Sequence, residues 1–198
     1  MENLNFQIEQ NLIKFYKNNE LKGITCRDYF DTLTDEVLKN TFHFLSTMFD
    51  NYGSTEKDVL GTGHEGKVYG INEIYALEEP HRSDREQYGF KEFFNLYTAK
   101  KTLQKGEDST LDIRVPTPYF SAENRLLEEK VDGCHVQNID CVNKALYSID
   151  FSSRYNDIFR KLTDDFNFSV RHYDKHLEEN VLREGDTFYL VDPAIVEN

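Results

Sequence analysis

The chain has 198 residues, enough for one domain with a sizeable core or for two small lobes that share a cleft. Its 36 acidic against 23 basic residues give a formal net charge of −13, which repels a phosphate backbone and argues against a general nucleic-acid binder. A nucleotide held through metal ions remains compatible, because such a site needs carboxylates more than many cations.

Taken in chain order, the N-terminal stretch MENLNFQIEQNLIKF is acidic and amphipathic, without the basic start and apolar run of a signal peptide. Nowhere does an apolar run reach the roughly 18 residues of a membrane span. Leu4, Ile8, Leu12 and Phe15 fall in steps of four, four and three, so the spacing predicts a helix over 3–17, with Phe6 and Ile13 off its face. From Tyr29 to Phe49 the same rhythm continues through Phe30, Leu33, Val37, Leu38, Phe42, Leu45 and Met48, with Thr34-Asp35-Glu36 suited to an internal turn. The expectation is a helical N-terminal extension over 1–53, closed by the turn residues Asn51-Tyr52-Gly53-Ser54.

The period then changes. Val59-Leu60, Val68-Tyr69 with Ile71, and Ile74 to Leu77 are short β-prone runs separated by glycines and by Asn72-Glu73, which predicts a strand, a loop, a strand, a tight turn and a third strand. Helical rhythm returns from Ser83 to Leu103, with Ser83 or Asp84 as N-cap and Gly106 beyond the end. IRVPTPYFSAENRLLEEKVDG, from Ile113, predicts two more strands around a turn at Ala122-Glu123-Asn124. Helical residues follow near Cys141 to Tyr147 and Tyr155 to Phe166. The chain closes with a hairpin turning at Glu184-Gly185-Asp186. Cys26, Cys134 and Cys141 show no C-x-x-C spacing and cannot all pair within one chain, so a reducing compartment is the simpler reading.

LGTGHEGKVYGI, from Leu60 to Ile71, fits two nucleotide-binding templates. Gly61, Gly66 and Lys67 spell most of a Walker A loop, but Val68 stands where Ser or Thr should hold Mg²⁺, and a strand follows where a helix is needed. Gly61, Gly63 and Gly66 instead suit a glycine-rich hairpin whose backbone amides lie over nucleotide phosphates. By itself that motif is weak, and a plain glycine-bearing turn would spell it too.

A second segment narrows the choice. RHYDKHLEENVLREGDTFYLVDP, from Arg171 to Pro193, carries His172-Tyr173-Asp174, then Asn180-Val181-Leu182, then Leu190-Val191-Asp192. This order resembles the catalytic loop and metal-binding strand of protein-kinase-like phosphotransferases. VPTPYF followed by RLLEEKVDG is similar to the fourth strand, fifth strand and hinge of the aminoglycoside-phosphotransferase and RIO branches, so the resemblance covers about 59–193. In its shortness the chain is also similar to small effector kinases that bacterial pathogens inject into host cells.

The resemblance implies an α+β chain with a minimal, truncated bilobal kinase-like fold: an N-lobe over 54–132 and a truncated C-lobe over 133–198. It implies ATP and Mg²⁺ as cofactors, a protein hydroxyl as acceptor, and bacterial cytoplasm followed by host cytosol as the setting. A host protein substrate and an activating partner are compatible with it. Asp174 would orient the attacking hydroxyl, Asn180 and Asp192 would hold the metal, and His172 would brace the loop. Backbone groups of Glu129 and Val131 would pair with adenine, with Val59 and Val68 above its face.

Three departures accompany the resemblance. Glu78, within Tyr75-Ala76-Leu77-Glu78, stands where the third strand should carry the phosphate-binding Lys. Lys67, Lys91 or Lys100 are the candidates to replace it, although strand alternation sets Lys67 on the opposite face from Val68. Glu92 is spaced to be the helix Glu that orients such a Lys; a solvated helical Glu is the plain alternative. Asp174 to Asn180 spans six residues where the family usually has five, so either a one-residue bulge intervenes or Glu179 takes the metal position. Six residues follow Asp192, which predicts no peptide-gripping helical subdomain. A pseudokinase, binding nucleotide or a partner without transfer, is the rival function. His172 and His176 lack the Glu of a zinc-hydrolase motif, and Cys134-His135 reads as packing.

Overall fold

The computed structural model describes residues 5–29, 58–63, 66–82, 87–103, 112–122, 124–135, 180–185 and 187–193. The chain divides into two compact units, Met1–Phe94 with Pro118–Lys130, and Asn95–Thr117 with Val131–Asn198.

The first unit is built on an antiparallel sheet of eight strands. In chain order these are β1 (Asn5–Glu9), β2 (Leu12–Lys17), β3 (Glu20–Cys26), β4 (Asp58–Thr62), β5 (Gly66–Gly70), β6 (Tyr75–Pro80), β8 (Pro118–Ala122) and β9 (Arg125–Glu129). Their spatial order is β1-β2-β3-β8-β9-β6-β5-β4. Helix α1 (Tyr88–Leu103) follows β6 and begins in this unit.

The helix expected over 3–17 is overturned. Residues 5–26 form the meander β1–β3, which joins the sheet through Ile24↔Ser121 and Thr25↔Phe120. The period that matters is two, not 3.6. Ile13 and Phe15, two apart on β2, are fully or almost fully buried, and Phe6 pairs with Phe15 on β1. Phe6 and Ile13 are the residues that sat off the helical face. Two turns enforce the reversal: Gln10 has φ 55°, and Asn18 and Asn19 have φ 53° and 66°. Two successive left-handed residues define the tight hairpin turn whose twist matches that of paired strands, and Asn enters this region at lower cost than most residues. The second expected helix, over 29–49, and those near 141–147 and 155–166 fall almost wholly outside the described residues, where only Tyr29 closes a short 3-10 turn, Arg27–Tyr29.

From β4 onward the first unit follows the expected order of three strands, the start of a helix and two strands, while a short strand at 112–114, which was not expected as a separate element, joins the smaller sheet. The β5–β6 turn closes through Asn72, whose Oδ1 accepts the amides of Ile74 and Tyr75 at 2.8 Å each. On one face of the sheet Ile13, Phe15, Leu77, Phe120 and Leu127 form a buried cluster, with Phe15 and Phe120 edge to face at 6.4 Å. On the other face lies the first turn of α1. There a methyl on Gly89 would sit 2.3 Å from the carbonyl oxygen of Arg125, so only glycine lets the helix approach the backbone of β9 so closely.

The second unit contains a smaller sheet, in the order β10 (Cys134–His135), β11 (Val181–Glu184), β12 (Thr187–Leu190) and β7 (Asp112–Arg114), with β7 parallel to β12. The β11–β12 hairpin lies where it was expected. Asp112 ties β7 to it by accepting Thr187 Oγ1 at 2.6 Å, and Arg114 grips both its oxygens at 3.0 and 2.9 Å. These hydrogen bonds, Thr187's first, hold the Asp112 carboxyl below its ordinary range. Among the described residues no helix is long and apolar enough to cross a membrane.

Candidate functional site

The glycine segment is a hairpin, as its flanks demand. Gly63 donates its amide to the Gly66 carbonyl at 2.9 Å, and His81 Nε2 stands 2.9 Å from the Gly63 carbonyl oxygen. Its three glycines have different reasons to be bare. A methyl on Gly66 would lie 2.6 Å from the Glu79 carbonyl oxygen and 3.2 Å from the Tyr88 hydroxyl, so this glycine is demanded by the fold. At Gly61 a methyl would meet nothing within 4 Å, and at Gly63 only the Gly66 carbonyl at 3.9 Å. Neither has a left-handed backbone. Among the described residues, nothing at these two positions requires glycine.

Register assigns the surrounding side chains to faces. Gly61 pairs with Val68, Val68 with Glu78, and Glu78 with Leu126, so these share one face with Ala76 and Glu128. Lys67 pairs with Glu79 and shares the opposite face with Tyr69 and Leu77. The pairing of Val59 and Val68 over one ring needs correction. The register shifts between Val59 and Gly61, so Val59, opposite Tyr69, falls on the Lys67 face and is 53 % exposed. Leu60 is the residue the bulge turns over: its Cδ2 lies 3.4 Å from where a methyl on Gly70 would be, on the face that carries Val68. Sequence alternation alone cannot foresee a bulge, so it does not place Leu60 on the Val68 face.

Glu78, at the position expected for the phosphate-binding Lys, accepts a hydrogen bond from Tyr88 Oη at 2.5 Å. Tyr88 is the first residue of α1, and Glu92 follows one turn later on the same helical stripe; both are buried. Lys91 meets Glu92 at 3.7 Å with half of its own side chain exposed. Lys100, in the second unit, donates to Thr117 Oγ1 at 2.5 Å. Tyr88 carried no signal in the sequence, because its role depends on the register of β6 beneath the helix.

At the hinge, Lys130 donates its amide to the Ile74 carbonyl at 2.8 Å. Main-chain groups alternate sides along an extended strand, so those of Glu129, the last residue of β9, point to the other edge.

In the second unit the β11–β12 hairpin sets Asn180 and Asp192 at one end: Val181 pairs with Leu190, and Val191 donates to the Asn180 carbonyl at 2.9 Å. Asn180 is half-buried and Asp192 exposed. An amide oxygen and a carboxylate at one end of a hairpin are hard oxygen donors of the kind Mg²⁺ takes. Among the described residues no three His, Cys, Asp or Glu gather into a metal site. Asp174, with His172, His176 and Glu179, lies outside the described residues.

No protein-family model matches the chain, and no curated protein matches it. Solved structures of aminoglycoside phosphotransferases are similar to it in part. The ternary complex of APH(2")-IIa with streptomycin and ATP is 11 % identical with a TM-score of 0.34, and the gentamicin complex of APH(2")-IIa is 11 % identical with 0.35. ADP-bound APH(2'')-Ib is 11 % identical with 0.34. In each case the match covers 81 % of this chain and 70 % of the other. Within the first unit the glycine hairpin β4–β5 follows the meander β1–β3 and precedes β6, the start of α1, and the pair β8–β9.

Proposed function

We propose that the chain is an ATP- and Mg²⁺-dependent phosphotransferase of minimal protein-kinase-like build, which moves the γ-phosphate to a protein hydroxyl. The observation that carries this reading is the bareness of Gly61 and Gly63, which no internal contact or backbone angle among the described residues explains. Phosphates need close approach to backbone amides, and a missing side chain provides it.

The roles follow from the chemistry. Gly61, Gly63 and Gly66 let the hairpin cover the phosphates, while Leu60 and Val68 bound one side of the base and the main chain of Glu129 and Val131 meets its edge. Asp174 orients the acceptor hydroxyl and takes its proton as the new O–P bond forms and ADP leaves. Asn180 and Asp192 hold the metal, which when bound neutralises charge on the phosphate oxygens. Glu92 acts from α1, and Lys67 faces away from Val68, so it reaches phosphate only around the rim of the hairpin. A bacterial effector acting on a host protein in host cytosol, with an activating partner, is the setting that the kinase-like segments favour.

One observation favours a second reading. Glu78 stands where a cation is expected and is already engaged by Tyr88, which suits a pseudokinase that binds nucleotide without transfer.

Labelled ATP with Mg²⁺ and a host protein extract separates the two. Transfer is expected to label an extract protein and to vanish with Asp174→Ala. Thermal stabilisation by Mg²⁺ and ATP is expected to be lost with Asp192→Ala, since it grows as RT ln(1 + [L]/Kd). A shift without label establishes the second reading; no shift at millimolar ATP sinks both.

A further inference from the structure

Glu78 and Glu92 pose a problem that the resemblance does not solve. In a kinase-like first unit the third strand and the helix are coupled by an ion pair between a Lys and a Glu. Here both positions are carboxylates, on the central strand β6 and on the buried stripe of α1. Two like charges repel, so that coupling cannot form between them.

A different coupling is built in its place. Tyr88 is 7 % exposed, and its hydroxyl donates to Glu78 Oε1 at 2.5 Å. A hydrogen bond from a phenol to a carboxylate is short and about twice as strong as a neutral one. Two glycines make room for it. Gly66, on the neighbouring strand, leaves open the position 3.2 Å from the Tyr88 hydroxyl that a methyl would take. Gly89, next to Tyr88, lets the first turn of α1 settle on the Arg125 backbone. With Tyr88 held, Glu92 is carried one turn further along the same stripe.

We propose that Glu78 is a positioning residue that accepts the Tyr88 hydroxyl to fix the first turn of α1 on the sheet, and with it the place of Glu92. This rests on the nucleotide-binding function proposed above and assigns Glu78 a role within it. Glu78 is then not a damaged phosphate-binding position. Its consequence runs against simple analogy: Glu78→Lys, which restores the residue that the resemblance expects, weakens the site instead of repairing it.

Two measurements on the full chain test this. Hydrogen exchange of the amides of Lys91 and Glu92, which are hydrogen-bonded back into the first turn, reads the anchor directly without nucleotide. Tyr88→Phe keeps the ring and removes only the hydroxyl; it and Glu78→Lys are expected to speed exchange about tenfold, the equivalent of roughly 1.4 kcal/mol. Glu78→Gln retains an accepting oxygen and is expected to stay within about threefold of the parent, the weaker neutral bond accounting for the difference. Titration with Mg²⁺ and ATP reads the consequence, with affinity falling about tenfold in Tyr88→Phe and Glu78→Lys and largely kept in Glu78→Gln. Tighter binding or new transfer in Glu78→Lys overturns the proposal, as does unchanged exchange in Tyr88→Phe. Failure of the parent chain to bind nucleotide would sink the proposed function, and the exchange measurement would still decide whether the anchor exists.

Discussion

The meander β1–β3 and the glycine hairpin β4–β5 occupy opposite wings of one sheet, on either side of the strands β8, β9 and β6. The meander is packed from within: Ile13, Phe15, Ile24 and Cys26 are buried, and Thr25 donates to the Tyr119 carbonyl at 2.6 Å. The hairpin is open: Val59 and Leu60 are 53 % and 44 % exposed, and a methyl on Gly61 or Gly63 would meet almost nothing. One wing contributes to stability through buried area. The other leaves surface and backbone accessible, as a site for a ligand outside the chain must.

Phe15→Ala tests the packed wing most severely. Deleting an almost fully buried ring that meets Phe120 is expected to cost about 3–5 kcal/mol, read as a fall in the urea midpoint. An unchanged midpoint would mean that the meander is an appendage and not part of the core. Within the hairpin, Gly66→Ala forces a methyl to 2.6 Å from the Glu79 backbone and is expected to cost about 1–3 kcal/mol by the same measurement. Gly61→Ala is the smallest in stability, within about 0.5 kcal/mol, because its methyl enters open space. That substitution is nonetheless expected to reduce the thermal shift given by Mg²⁺ and ATP. An undiminished shift in Gly61→Ala, from a parent that does respond, would show that the open glycine serves no phosphate and would remove the contrast between the wings.

How much of this was legible in the sequence differs between the wings for the same physical reason. From β4 to β9 all elements but β7 have local punctuation: glycines at the hairpin, Asn72 at the turn, a long apolar rhythm on α1, and Pro116 and Pro118 before and at the start of β8. The strand and helix order could therefore be read directly. In the meander the apolar residues fit two periods at once. Leu4, Ile8, Leu12 and Phe15 satisfy a helix, while Ile13 and Phe15 satisfy a strand, and isolated spacing cannot say which set will find a partner. Asn18-Asn19 were the available signal, since Asn is at ease with positive φ; the first turn places Gln10 there, which carries no such signal. Of the proposed site residues, Gly61, Gly63 and Gly66 stood out by spacing, while Val68, Asn180 and Asp192 were named through the resemblance alone. The face on which Val59 and Leu60 lie was not legible, because one bulged residue reverses every face beyond it.

What the sequence determined by itself is chemical inventory and local direction: which residues can turn the chain, which carry hard oxygen donors, and that the long apolar rhythm ending at Leu103 is a helix. These depend on neighbours a few positions away. What only the tertiary structure decided is partnership. The meander became strands because β8 offered an unpaired edge to β3, which gives its backbone hydrogen bonds and its apolar side chains a common core. Glu78 met Tyr88 because the register of β6 and the close seat of Gly89 brought a carboxylate and a phenol within 2.5 Å. Such pairings depend on distances between segments far apart in the chain, and no local pattern encodes them.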